Sequence, residues 1–427
     1  MILIKINLSF RSLQKMDLKK KVLALTVLST FSVSVMANTP TNEEIMQMMK
    51  EMKEEIAELR KENESLKGEV EDVAGSVEDV AVATDEAIKA QVKLSNKTTI
   101  GGYGELHYNN LRDQKGQSNK HEIDFHRFVL FINHEYNDKL RFVSELELEH
   151  SISGDDQVGE VELEQAYVQY DLTNTTSLVG GLFIMPVGIL NETHEPPTFY
   201  GVERNNVEKY IVPSTWWEGG AMVQHEVMDG LGLDLAVTSG LKAKSDTDFD
   251  VRDGRQKVGK ADARKLAYTG RLKYTAIPGL ELAGTINYQD NFSQDAIEGV
   301  GSATLYEAHV IYNRDQFGLR ALYATWDIEG STVKSLGQDK QYGYYVEPSY
   351  RFSIYGEDLG AFTRYSYFDN AAGSASATDN ETQQYDIGLN WWVDKDVVVK
   401  VDYQIQDVGS GVDTELDGLN VGLGYQF

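Results

Sequence analysis

The chain closes on LNVGLGYQF, Leu419 to Phe427. Leu419, Val421, Leu423, Tyr425 and Phe427 are large and apolar, and Asn420, Gly422, Gly424 and Gln426 stand between them. A period of two belongs to a β-strand, here one with a wholly apolar face. In a chain with 25% charged residues, such a strand needs an apolar medium on one side. The pattern recurs upstream. Val397, Val399, Val401, Tyr403 and Ile405 alternate with Val398, Lys400, Asp402 and Gln404, and Tyr342, Tyr344, Val346 and Tyr350 oppose Glu347 and Arg351.

Traced back from the end, alternating aromatic-rich segments continue to about Thr98. Sixteen strands are expected, near 98–111, 121–136, 139–150, 160–171, 176–186, 217–227, 231–240, 264–275, 279–289, 303–313, 317–327, 340–351, 359–368, 381–392, 397–407 and 416–427. Tight connections such as Asn137-Asp138, Met228-Asp229-Gly230 and Arg314-Asp315 take turns with long polar ones such as 187–216, 241–263 and 369–380. This sorting describes an all-β transmembrane barrel of antiparallel strands, whose closure leaves no unpaired backbone edge for lipid to meet. Leu419, Val421 and Leu423 then face lipid, Tyr425 and Phe427 join an interfacial aromatic girdle, and Asn420 and Gln426 face the lumen.

Ahead of the barrel the period changes. Lys19-Lys20-Lys21, the apolar run Val22 to Val35 and Val35-Met36-Ala37 read as a signal peptide over 1–37, with Met16 the expected initiator. From Ile45, apolar residues step by four and three through Met49, Met52, Ile56 and Leu59, then past Asn63 to Leu66, Val70, Val73, Val77 and Val80. That spacing, with Glu and Lys on its flanks, predicts an α-helical coiled coil within 38–97, with Asn63 as a register-setting polar residue. A lone amphipathic helix is the alternative. Because an even-stranded barrel starts and ends on one side, the segment is expected in the periplasm and the barrel, 98–427, in the bacterial outer membrane.

The formal charge is −27, and the six basic and one acidic residue of 1–37 leave about −32 for the exported part. So acidic a chain is not a nucleic-acid binder. Cysteine is absent, so neither disulfides nor a thiol nucleophile are available. After residue 37 no run of 18 apolar residues occurs, which excludes spanning helices but not strands. DTDFDVRDG, Asp246 to Gly254, begins like a calcium loop, yet Val251 and Lys257 stand where the turn glycine and closing Glu belong. It reads as a solvated loop. His194 with Glu192 and Glu195 has ligand chemistry, but Pro196-Pro197 beside them points to shaping of the loop. Scattered His residues establish no Ser-His pair. No enzyme, cofactor or metal is expected.

HEPPTFYGVERNNVEKYIVPSTWWEGG, His194 to Gly220, HRFVLFINHEYNDKLRFVSELELEH, His126 to His150, and GGYGELHYN, Gly101 to Asn109, resemble the phosphate-selective porin O and P family. The likeness covers 98–427. It implies a trimeric sixteen-stranded channel whose third long loop, here 187–216 with Glu203, Arg204, Glu208 and Lys209, folds inward to narrow the pore. Phosphate-selective members line the pore with Arg and Lys, whereas acids occupy many lumen positions here. A coiled coil before such a barrel is also similar to trimeric porins for dicarboxylates.

By the period, Arg141, Glu145, Glu147 and Glu149 face the lumen from the third strand. Glu160, Glu162 and Glu164 join them from the fourth, where Val161 and Leu163 fall out of phase with Ala166, Val168 and Tyr170 and suggest a bulge. Arg127, Arg271, Lys273, Arg320, Arg351 and Arg364 supply lumen cations. The expectation is a passive channel for small hydrophilic solutes, homotrimeric, set among outer-membrane lipid and lipopolysaccharide. An acidic wall would face a basic one across it, or these charges pair locally or sit at different depths, as Arg320 and Arg351 near the lower rim suggest; mild cation preference or near neutrality would prevail over phosphate selection. The alternatives are a structural protein tethered through its coiled coil, or a channel selective for phosphate or dicarboxylates.

Overall fold

A computed structural model describes residues 41–70, apart from 44, 48, 52 and 69, and residues 97–427, apart from 153, 155 and 376–378. The expected signal peptide and the heptad positions Met52, Val73, Val77 and Val80 lie outside the described residues. The chain divides into two units, Met1–Gln91 and Val92–Phe427.

In the first unit, 42–70 is helical wherever it is described. Its Glu, Lys, Met and Leu residues are strong helix formers. The heptad residues Ile45, Met49, Ile56, Leu59, Leu66 and Val70 are each at least 40% exposed, a stripe left uncovered by the described residues. Among the described residues no helix is long and apolar enough to cross a membrane.

The second unit is a closed antiparallel barrel of sixteen strands. They are β1 (Thr98–Asp113), β2 (Lys120–Asn137), β3 (Leu140–Glu149), β4 (Val161–Thr173), β5 (Thr176–Ile184), β6 (Trp217–Met228), β7 (Leu231–Thr238), β8 (Ala267–Tyr274), β9 (Leu280–Gln289), β10 (Ala303–Arg314), β11 (Phe317–Ile328), β12 (Lys340–Ile354), β13 (Glu357–Asp369), β14 (Thr382–Asp394), β15 (Val397–Val408) and β16 (Leu416–Gln426). Closure comes from β1 against β16, with Tyr103 opposite Gln426 and Asn109 opposite Asn420. Phe427 continues the ladder by exchanging two backbone hydrogen bonds with Gly102 and stacks on Phe128. The strand number is the expected one. One tight turn, Tyr355-Gly356, was not legible, since Tyr is an unusual turn residue; its φ of 55° and the 89° of Gly356 give the primed turn that a two-residue hairpin favours.

The bulge expected in β4 falls at Glu164: Glu145 pairs with Gln165 and Leu146 with Leu163, so Glu164 is the extra residue. It brings Val161, Leu163, Val168 and Tyr170, all exposed, onto the outer face. On β16, Leu419 and Leu423 point outward and Asn420 is buried inside. The inward glycines of the closing stretch have a steric cause. A Cβ on Gly424 would lie 2.2 Å from Pro196 Cβ, and one on Gly422 would lie 3.1 Å from Val202.

Those contacts arise because the 185–216 connection, between β5 and β6, folds into the barrel. Its Met185, Val187, Ile189, Val207, Ile211, Val212 and Trp216 join Leu305, Leu322, Trp326, Tyr345 and Phe368 of the wall in one apolar cluster. Burying each such side chain is worth about 1.5–3 kcal/mol. The 239–266 connection joins the same cluster through Leu241, Ala243, Phe249 and Val251. This corrects the solvated-loop expectation for Asp246 to Gly254, because Phe249 and Val251 are fully buried.

Candidate functional site

Three buried polar devices fix the inward connection. Asn191 Nδ2 donates to Met185 O at 2.7 Å and to Trp216 O at 3.1 Å, while its Oδ1 accepts from Trp216 N, so the two ends of the loop are clasped. Glu208 Oε1 accepts from Ile189 N and Leu190 N, both at 2.6 Å, and its Oε2 accepts from Asn205 Nδ2 and from the Tyr345 hydroxyl. Arg252, from the 239–266 connection, donates to Lys209 O at 2.9 Å and Ser214 O at 2.8 Å. Burial and the neighbouring Arg255 guanidinium pull its pKa down to about 10, so it stays charged at neutral pH.

What the loops leave open is a polar cavity of about 320 Å³. Glu105, Glu149, Glu160, Glu162 and Glu164 line it from or beside β1, β3 and β4. Arg204, Lys209, Arg252, Arg255 and Lys257 line it from the two folded connections. Arg127 sits among the carboxylates, 2.8 Å from Glu105 and 3.3 Å from Glu147. Glu203 completes the lining and reaches His107 Nδ1 at 3.2 Å. His126 stacks on His107 with ring centroids 4.7 Å apart. Lys257 joins the loop to the wall by donating to Glu160 and Glu162.

Of the residues picked out by sequence, the structure therefore gathers Arg127, Glu149, Glu160, Glu162, Glu164, Glu203, Arg204 and Lys209 at the cavity. The others are placed elsewhere. Glu208 is fully buried and acts as a strut, because its carboxylate is consumed by four donors. Glu145 and Glu147 are each 1% exposed, covered by the loop. Arg271 is held by Asp234 at 2.7 Å and by Glu192, with Lys273 two residues along the same strand. Arg364 is held by Glu347 at 3.2 Å and Asp386 at 2.9 Å. Arg141 pairs with Asp171, Arg351 with Asp358, and Arg320 donates to Thr198 O. The expected acidic wall facing a basic wall is thus corrected: Arg127, Arg141, Arg271, Arg351 and Arg364 pair with near carboxylates on the wall or loop, Arg320 with a loop carbonyl, and the further cavity cations come from loops.

Sequence reasoning missed Glu105, His107, His126, His150, Arg252, Arg255 and Lys257. Glu105 and His107 had a signal, alternating with Leu106 and Tyr108. His126 lies at a bulge, where Glu105 pairs with Arg127 and Leu106 with Phe125, and the loop cations carry no period. Among the described residues two groups bring three ligand-type atoms within 4.8 Å: Asp124 with His126 and His150, and Glu145 with Glu164 and His194. The second replaces the Glu192 and Glu195 partners that sequence suggested for His194.

The family described as phosphate-selective porin O and P matches residues 99–427. An uncharacterized protein of Aquifex aeolicus (strain VF5) is 28% identical over 343 residues, covering 74% of this chain and 78% of that one. Among solved structures, the outer membrane channel DcaP of Acinetobacter baumannii is similar with a TM-score of 0.53 and 14% identity, over 77% of this chain and 97% of its own. An anion-selective porin from Comamonas acidovorans gives 0.53 and 13%, over 77% and 99%. OmpF of Salmonella typhi gives 0.54 and 13%, over 77% and 97%. At such identities the likeness is one of fold, and it agrees with the sixteen-stranded closure seen here. The chain belongs to the phosphate-selective porin O and P family and is an outer-membrane porin.

Proposed function

We propose that this porin passes small hydrophilic solutes and ions of both signs down their gradients, with weak charge preference and an orienting action on dipolar solutes. The observation that carries the reading is the small cavity lined by both wall carboxylates and loop cations. A transverse field in a wet passage orients a dipole while leaving net charge near balance. Stepwise conductance of purified protein in a planar bilayer, with reversal potentials near zero in a salt gradient, tests it; a silent bilayer sinks it.

A second reading is supported by Arg204. Its Nη1 donates to Thr215 Oγ1, while its buried Nε and Nη2 make no hydrogen bond among the described residues. Such a guanidinium suits a bidentate oxyanion, which keeps phosphate and dicarboxylates as candidate solutes. Block of ion current by low phosphate or succinate separates this reading from the first.

The assembly we propose is a homotrimer in outer-membrane lipid and lipopolysaccharide, with the 38–97 segment a periplasmic coiled coil. The exposed heptad stripe supports it, since an isolated helix of this length is marginal unless its apolar face finds a partner. Use of that coiled coil as an envelope tether is compatible with a conducting barrel.

A further inference from the structure

We propose that Glu145, Glu164 and His194 form a divalent transition-metal site that fastens the inward loop to the barrel wall. Glu145 lies on β3, Glu164 is the bulge residue of β4, and His194 belongs to the loop. His194 Nε2 is 3.2 Å from Glu145 Oε1 and 3.9 Å from Glu164 Oε2. Four-coordinate zinc, with bonds of about 2.0–2.2 Å, spaces its ligand atoms roughly 3.3–3.6 Å apart, so small side-chain adjustments admit the ion.

The tautomer of His194 points the same way. Its Nδ1 sits 3.1 Å from Asn191 O, an atom that only accepts, so Nδ1 carries the hydrogen. In the neutral ring Nε2 then presents a lone pair to two carboxylates, and a cation between them resolves the conflict. A ring nitrogen donating to a backbone carbonyl while the other faces the ligand pocket is the usual outer arrangement of a metal-bound His. Glu145 has a matching support: its Oε2 accepts from Gln165 Nε2 at 2.7 Å.

Glu164 supplies an independent sign. It is 1% exposed, its Oε2 accepts from no donor among the described residues, and its carboxyl lies against that of Glu147. A buried carboxylate oxygen with no donor is costly unless a cation answers it. Glu164 also borders the cavity, which gives an ion a way in. One imidazole and two carboxylates suit a first-row divalent ion, and zinc is the natural probe.

The test is calorimetric titration of Zn2+ into the purified full chain after chelator treatment, which needs no ion current and so stands apart from the channel reading. The expected result is one ion per chain. Affinity should fall about 10-fold or more in Glu164→Gln and in His194→Gln, which alter wall and loop separately, and hold in His150→Gln. Heat-modifiable gel mobility verifies that each variant barrel is folded. Bound zinc should also slow tryptic cleavage after Arg204 and Lys209 in the native protein only. Absence of binding at millimolar Zn2+, or an affinity lost in His150→Gln and kept in Glu164→Gln, would overturn the proposal.

Discussion

The Tyr345 hydroxyl donates to Glu208 Oε2 at 2.8 Å, joining the inner wall of β12 to the inward loop. Glu208→Ala would strand Ile189 N, Leu190 N and the Tyr345 hydroxyl in a dry setting, at about 1–3 kcal/mol for each unsatisfied group. The expected outcome is a loop released from the wall, read as larger, noisier unitary conductance and faster proteolysis between β5 and β6. Glu208→Gln, which keeps an acceptor, should be milder. Unchanged conductance in Glu208→Ala would mean that the apolar cluster alone holds the loop.

Arg364 is 3% exposed between Glu347 and Asp386. Removing one partner from a buried charge set is costly, typically ~3–5 kcal/mol, because the remaining charges lose their compensation. Arg364→Met should lower the midpoint of barrel unfolding in urea, and adding Glu347→Gln should recover part of the loss. Additive effects of the two changes would show that the pair is not coupled.

Asp250, at the tip of the 239–266 connection, accepts from Asn370 Nδ2 at 2.7 Å. Burial, then the nearby Asp253 and Asp248 carboxylates, push its pKa up to about 7. An acid with a raised pKa favours the docked state while it keeps its proton. Docking is therefore tightest below the ordinary carboxylate range, weakens progressively as pH rises above it, and levels off once pH passes about 7. Amide exchange at Phe249 and Val251 should quicken, relative to the intrinsic rate, from about pH 4 to 7 and change little above that. Asp250→Asn should abolish that pH dependence; its persistence would place the titrating group elsewhere.

Deleting 38–97 removes the exposed heptad stripe and leaves every barrel strand intact. The expected product is a folded barrel whose oligomer dissociates at a lower temperature on native gels, since the proposed coiled coil would add association and not closure. Loss of barrel assembly itself would give the segment a larger part than this.

The strands were legible because lipid on one side and water on the other force a period of two, as in Val397 to Gln404. The interior was less so. Leu305, Leu322, Ala324 and Trp326 point inward against the loop, so apolar residues there occupy both faces and the alternation no longer separates lumen from lipid. Nor does any period mark Arg252, whose two carbonyl partners lie about 40 residues away in sequence. The bulge at Glu164 was readable from a slip in phase. That Glu208 is a strut was not, because its four donors converge only once the loop has folded.

Selectivity follows from which charges meet water. Glu145 and Glu147 are covered, whereas the Glu160 side chain is 55% exposed and Glu149 borders the same cavity. Charges on outer loops are screened beyond about 8 Å at physiological salt and chiefly alter entry. A carboxylate about 4 Å from a passing ion is worth roughly 1 kcal/mol even at the dielectric of water, enough for a several-fold change in permeability ratio. Glu149→Gln with Glu160→Gln should therefore move the reversal potential toward anions, since Arg204, Arg255 and Lys257 then face fewer carboxylates. Glu147→Gln, paired with Arg127 under the loop, should move it less. The wild type is expected close to neutral in a potassium chloride gradient. A wild type strongly selective for anions and blocked by low phosphate would instead show that the free edge of Arg204 governs the passage, and that the carboxylates opposite it merely hold the loop cations in place.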